Sequence, residues 1–333
     1  YVKDMKKKGI LVVMLAIVLT TAQGQYVPNN SQAFQFMSVY NPAFSGVESF
    51  DDLKFGYRYQ WAGYGKYAPK FINLAFHKRI KQPLDMAYNS MRLSDFSNAR
   101  ASHLPRAKRI IHGMGINIFQ SSVGIVKSIG SSFTYSLNYP ITTRMRFAVG
   151  ASALIENRRM DVSQVDVRDP DHFYDYLLKS STTQTDLNVR TGALLYGERF
   201  YLGFSYLPLV NIALQASDLA MEEPFYRGSF QVGYSFPVAD GVNVKPSVIG
   251  LLQMTNQFVI DYNVKAYFQN KLWMGLTYRD IESGVAVIGF NINETFTASY
   301  SFELSLGDFR KFDDGSHELV LAARLKNLKR YSQ

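Results

Sequence analysis

The chain contains no cysteine. That excludes a disulfide framework, a thiol nucleophile and a soft-sulfur metal site, and it speaks against a lipidated-cysteine anchor. Histidine is scarce too. His77, His103, His112, His172 and His317 are the five present, and no two share the spacing of a metal-ligand pair. The G-x-S-x-G elbow, the G-x-x-x-x-G-K-[ST] phosphate loop and the H-E-x-x-H zinc pair are all missing. The longest apolar run, Ile10 to Leu19, has ten residues, whereas a helix needs about 20 to cross a bilayer. Enzyme, nucleotide-binding and helical membrane classes thus lose their usual support. No catalytic residue, metal or cofactor is expected.

What is present begins with Lys6-Lys7-Lys8, the apolar run, and the small residues of Ala22-Gln23-Gly24. That order is expected to be a secretory signal peptide, cleaved after Ala22 or Gly24, so that residues 1–24 are upstream sequence and leader. Removing them takes away four lysines and one aspartate, which lowers the formal charge from +9 to +6. An exported basic protein seldom meets nucleic acid. The cations are better read as facing a wet lumen, turns or anionic lipid headgroups, and no nucleic-acid partner is expected.

From about residue 52 to 325 the chain alternates apolar and polar residues over about eight to twelve positions and then turns, the period of strands with two unlike faces. Phe258, Ile260, Tyr262, Val264, Ala266 and Phe268 oppose Gln257, Asp261, Asn263 and Lys265. Phe200, Leu202, Phe204 and Tyr206 oppose Gly203 and Ser205 until Pro208, where the strand is expected to end. A soluble sandwich also alternates, but these runs reach the length of about nine to eleven residues that a tilted bilayer-crossing strand needs, and their polar faces carry Asp186, Arg190, Asp261 and Lys265. Aromatic residues at 14% suit interfacial girdles. The expected fold is all-β: a transmembrane antiparallel barrel of about 14 strands at 51–326, with an N-terminal periplasmic or plug segment at 25–50 and a periplasmic tail at 327–333.

The strands are expected to begin near residues 52, 70, 112, 128, 144, 185, 199, 227, 242, 257, 271, 284, 296 and 316. An even count puts both termini in the periplasm of a Gram-negative outer membrane. Residues 156–184, 209–225 and 305–314 become outer loops, and 197–198, 237–241, 269–270 and 292–295 become inner turns. Residues 80–111 are long, polar and basic yet fall on the inner side. Pro246 lacks a ladder donor, so its strand is expected to bulge there or to start later. The aspartates at 161, 166, 169, 171 and 175 fit no calcium-loop spacing and read as a solvated loop. The cluster Arg100, Arg106, Lys108 and Arg109 reads as a solvated charge run or a dock for an acidic periplasmic partner.

Before and within the first hairpin stand Gln35-Phe36-Met37, then Asn41-Pro42-Ala43-Phe44-Ser45-Gly46, then Arg58-Tyr59-Gln60-Trp61 with Gly65 and Pro69. His317-Glu318 opens the last strand. In this order the residues resemble the PorP/SprF family of the type IX secretion system. Its members carry a Q-x-M segment, an N-P-A-x-x-G turn, an R-x-Q-W at the end of the first strand and a last strand introduced by H-E. Singly, Asn41-Pro42 and Ser45-Gly46 are ordinary turn formers and Trp61 an ordinary interface aromatic. The resemblance implies a non-enzymatic outer-membrane component that docks proteins bearing a C-terminal sorting domain, together with type IX partners in the periplasm and outer membrane. On that reading residues 25–50 form a plug or clasp whose turn Asn41, Pro42 and Gly46 shape, with Gln35, Met37 and Ala43 as further motif residues within it. Arg58 and Gln60 face the lumen to bond it, while Trp61, His317 and Glu318 complete the signature. The alternative is a fourteen-stranded channel for hydrophobic or small solutes.

Overall fold

The computed structural model describes residues 30–48, 50–80, 110–142, 145–162, 172, 182–217, 226–253, 258–269, 271–280, 283–307, 310–311 and 313–325. The leader, most of 80–111 with its basic cluster, the aspartates at 166–175 and the tail lie outside the described residues.

Fourteen strands form: β1 Asp51–Tyr59, β2 Lys70–Arg79, β3 Ile111–Val123, β4 Val126–Pro140, β5 Met145–Met160, β6 Thr183–Gly197 and β7 Phe200–Gln215. They continue with β8 Tyr226–Tyr234, resumed as Phe236–Ala239, then β9 Val242–Gln253, β10 Phe258–Phe268, β11 Leu272–Arg279, β12 Ser283–Asn291, β13 Phe296–Ser305 and β14 Ser316–Leu325. Each pairs antiparallel with its sequence neighbours, and the ring closes where β1 meets β14, from Asp51↔Leu325 to Tyr59↔His317. Closure leaves no sheet edge to recruit another chain. β1 begins and β14 ends at one end of the barrel, called here the terminal end. The connections at 160–182, 216–225 and 306–315 fall at the other, the loop end.

Burial is the inverse of a soluble sheet. Leu276, Phe204 and Leu202 are 69%, 60% and 55% exposed, while Arg279, Arg58 and Lys265 are 0%, 1% and 2% exposed. An apolar outer face over polar interior positions is stable only in lipid, so this is an outer-membrane-type barrel. The wall is uneven in height. β3 to β7 run 13 to 16 residues, whereas β11 and β12 run 8 and 9.

Two expectations about proline are corrected. β7 does not end at Pro208 but continues to Gln215. Between the pairs Thr191↔Tyr206 and Val189↔Val210 three β7 residues face the single residue Arg190, a bulge that absorbs the missing donor. Pro246 neither delays nor bulges its strand, which stays in regular register with β10 through Pro246↔Val264. The fault is passed to β8. Its ladder lapses between Ser247↔Gly233 and Val244↔Phe236, and Ser235 instead donates its N–H to Arg199 O at 2.7 Å.

A third correction concerns the lumen, which is packed rather than wet where residues 30–48 cross it. A 3-10 turn at Ala33–Gln35, one α turn at Met37–Tyr40 and a 3-10 turn at Pro42–Phe44 bury Phe34, Phe36, Met37, Tyr40, Phe44 and Val47. Phe34 meets Trp273 edge-on at 5.6 Å, Phe44 meets Tyr201 at 5.8 Å, and Lys265 Nζ sits 3.7 Å from the Phe34 ring centroid. The segment supplies an apolar core that the polar inner wall lacks.

The plugged lumen as candidate functional site

The plug descends from the loop-end half of the lumen at Asn30 to the terminal end at Phe50, and three groups of bonds hold it. The first is charged. Strand alternation turns Arg58, Asp261, Arg279, Glu303 and Glu318 inward. Arg279 grips Asp261 through two bonds of 2.7 and 3.0 Å, reaches Glu303 at 3.1 Å, and donates to Asn30 O at 3.3 Å. Arg58 lies 3.0 Å from Glu303 and 3.7 Å from Glu318 and also donates to Ser31 Oγ. Ser31 completes the cluster, its N–H donating to Glu318 and its hydroxyl to Glu303, each at 2.6 Å. Two arginines against three carboxylates leave a formal excess of one negative charge. Each charge is bridged, which a buried ionic group requires.

The second group is neutral. Asn41 is fully buried, and its amide nitrogen donates to Ala193 O, Phe204 O and Gln231 Oε1 at 3.2, 3.3 and 3.1 Å. Its oxygen accepts from Ala43 N at 3.0 Å and so caps the turn that Pro42 begins. The wall is pared away beneath. Gly150 and Gly192 are cross-strand partners on β5 and β6. A Cβ on Gly150 would lie 2.6 Å from Pro42 C, and one on Gly192 would collide with Asn41 Oδ1. Ser205 and Ser229 donate to Tyr40 O at 2.8 and 3.3 Å, and Arg190 donates to Val39 O. Burial holds the Tyr40 phenol above its usual pKa, so it stays neutral.

The third group is at the terminal end. Arg79 donates to Gly46 O at 2.8 Å and Val47 O at 2.5 Å, and Ser136 donates to Ser45 O at 2.5 Å. Gly46 has φ +72°, and a Cβ on it would lie 2.5 Å from Gly113 Cα. Glycine alone satisfies both demands.

The residues singled out in the sequence therefore separate. Gln35, Met37, Asn41, Pro42, Ala43 and Gly46 are all in the plug, where Gln35 donates to Gln32 and Ser299 at 2.6 and 2.7 Å. Arg58 and Glu318 face it from the wall. Gln60 is buried, its backbone N–H on Pro69 O at 2.9 Å. Trp61 turns the chain out of β1 with φ +52° and rests on Tyr64 at 6.1 Å between centroids. His317 points outward, its Nδ1 2.6 Å from Tyr300 OH, and takes no part in the plug. Ser31, Arg79, Arg279, Glu303 and the Gly150–Gly192 pair were not anticipated. Alternation could have placed Arg279 and Glu303 on the inner face. Nothing local marks the glycines, because their partner is more than 100 residues away.

A closed, lipid-facing barrel filled by its own N-terminal segment defines an outer-membrane β-barrel protein with an occupied lumen. Within that class the chain belongs to the family described as Type IX secretion system membrane protein PorP/SprF, whose model matches residues 22–323. No curated protein matches it. Among solved structures it is similar to the outer membrane protein Omp33 of Acinetobacter baumannii, with TM-score 0.44, 10% identity, and coverage of 84% of this chain and 100% of that one. It is also similar to the CymD monoaromatic hydrocarbon channel, at 0.46, 11%, 90% and 94%. The corresponding values for the P. putida toluene transporter TodX are 0.44, 7%, 86% and 92%. Likeness at this level carries no function across.

Proposed function

We propose that this outer-membrane protein is a docking platform for the secretion or surface attachment of proteins with a C-terminal sorting domain, and not their conduit. Family membership ties it to the type IX machinery. The observation that carries the finer reading is the plug, which bonds to Glu318 on one side of the lumen, to Ala193 and Phe204 on another, and to Arg79 at the terminal end. A fourteen-strand lumen is in any case too narrow for a folded passenger. On this reading the terminal end of the barrel is periplasmic, outer-membrane lipid surrounds the wall, and residues 80–111 meet a periplasmic type IX partner. The protein itself performs no catalysis and needs no cofactor.

A strain lacking the gene is expected to retain sorting-domain proteins in the periplasm. The purified protein in planar bilayers is expected to show no substrate-linked conductance. Normal secretion together with lost uptake of one nutrient would instead establish the solute-channel reading.

A further inference from the structure

The outward surface of the wall is not uniformly apolar. At the loop end of β2 to β5 one register row reads Lys70, Ser122, Lys127 and Arg159, each residue the direct cross-strand partner of the next. Parity fixes their direction. On each strand the row shares a face with a residue exposed on the lipid side, namely Leu74, Ile118, Ile129 and Ile155, so the cations stand directly above the apolar band and not over the lumen. All three are exposed. Among the described residues neither Lys70 nor Arg159 pairs with a carboxylate, while Lys127 meets Asp161 at 3.2 Å, an exposed pair that contributes little.

The row is not level. Followed the other way from Lys70 it passes Tyr59, His317, Phe302, Ala286 and Leu276, and the last of these stands in the middle of β11 on the apolar face. Strands that lean about 35–45° and lie about 4.8 Å apart change the height of a row by about 3 Å at each step. The cations thus occupy the stretch where the row has climbed out of the hydrocarbon and crosses the headgroup layer. The adjoining connection suits the same layer. Residues 60–70 hold Trp61, Tyr64 and Tyr67 with two lysines and no acid. Lys66 Nζ lies 4.8 Å from the Tyr67 ring centroid and Lys70 Nζ 5.7 Å from that of Tyr59, the pairing of aromatic and cation that anchors a protein at a membrane interface.

A protein partner would have to approach from the side, where the bilayer is. A phospholipid with one phosphate would engage only part of the row. Three strand spacings separate Lys70 from Arg159 by about 14 Å, roughly the length of a disaccharide, so a headgroup with phosphates at both ends of a disaccharide would span it. The hydroxyl of Ser122 lies between, where sugar hydroxyls would pass. From these features we infer that β2 to β5 carry a lateral binding site for a phosphorylated glycolipid of the outer leaflet, its phosphates held by Lys70, Lys127 and Arg159. The site requires only that the long connections face outward, as they do in outer-membrane barrels. It stands whether or not the docking reading does.

The test titrates the full-length protein, in a zwitterionic amine-oxide detergent, with bisphosphorylated lipid A and reads retained lipid by native mass spectrometry. Binding is expected to weaken about fivefold in each of Lys70→Gln, Lys127→Gln and Arg159→Gln, and about a hundredfold in the triple variant. Lys78→Gln, on the same face of β2 but at the terminal end, is expected to leave it unchanged. Lys70→Arg and Lys127→Arg keep the charge and are expected to keep the affinity, which separates loss of a cation from loss of fold. No binding to the wild-type protein, or wild-type affinity in the triple variant, would overturn the inference. So would equal binding of dephosphorylated lipid A or of phosphatidylglycerol, or capture of a protein in place of glycolipid by a photo-crosslinking residue placed at Ser122 in cells.

Discussion

The two ends of the plug are held by unlike means. At Asn30–Gln35 the grip is electrostatic, with Ser31 set among two arginines and three carboxylates. At the turn Asn41–Ala43 it is steric, because the turn lies where the wall has glycine and the Asn41 amide bonds largely to backbone carbonyls. A charged clasp tolerates small displacements but fails when a charge is removed. A shaped socket is indifferent to charge but fails when one carbon is added.

The largest effect expected is from Arg58→Ala, which leaves Glu303 and Glu318 facing each other without their shared cation. A loss of about 3–5 kcal/mol in barrel stability is expected, measured by urea unfolding from lipid vesicles. If Arg58→Ala cost no more than an exposed substitution, the clasp would have to be bridged by water and the contrast between the two ends would collapse. Next comes Gly192→Val, which drives a side chain into Asn41. Strain of about 1–3 kcal/mol is expected, accompanied by steady conductance in planar bilayers as the plug is dislodged. A silent bilayer would mean that the clasp alone suffices to seat the segment.

Asn41→Ala removes a buried donor and the turn's cap, and a cost of about 1–2 kcal/mol is expected in the same unfolding measurement. Its effect and that of Arg58→Ala should add if the two ends act independently, whereas strong coupling would show the plug to be one rigid body. The smallest effect is expected from Ser31→Ala, about 1 kcal/mol, because Arg58 and Arg279 still hold the two glutamates. Only at this end should stability depend on the ionic environment of the loop-end mouth.

The strands were legible because lipid on one side and lumen on the other impose a period of two on every segment, and the exposed Phe258, Tyr262 and Val264 against buried Asp261, Asn263 and Lys265 show that period. The inward aim of Arg58 follows from the same parity. What the parity could not reveal was what an inward residue meets. Asp261 and Asn73 look alike in sequence, yet Asp261 is locked to Arg279 while Asn73 faces a cavity. Proline misled twice for a related reason. Its missing donor is a property of a ladder, and at Pro246 the neighbouring strand absorbed the fault. The asparagine–proline turn was visible as a motif, but its socket was assembled from Gly150, Gly192 and Gly203 on three different strands.

The seam between β1 and β14 has a consequence for how the protein is made. Residues 30–48 precede β1 and are enclosed on every side once Asp51↔Leu325 to Tyr59↔His317 are paired. A finished ring would have to be threaded, but a sheet still open between its first and last strands can simply wrap around a segment already lying on it. Ser31 bonds to Glu303 and Glu318 on β13 and β14, the last two strands to be synthesised. If that seam is the last to pair, closing it encloses the plug without threading, and Ser31 is bonded by the same hairpin that completes the ring.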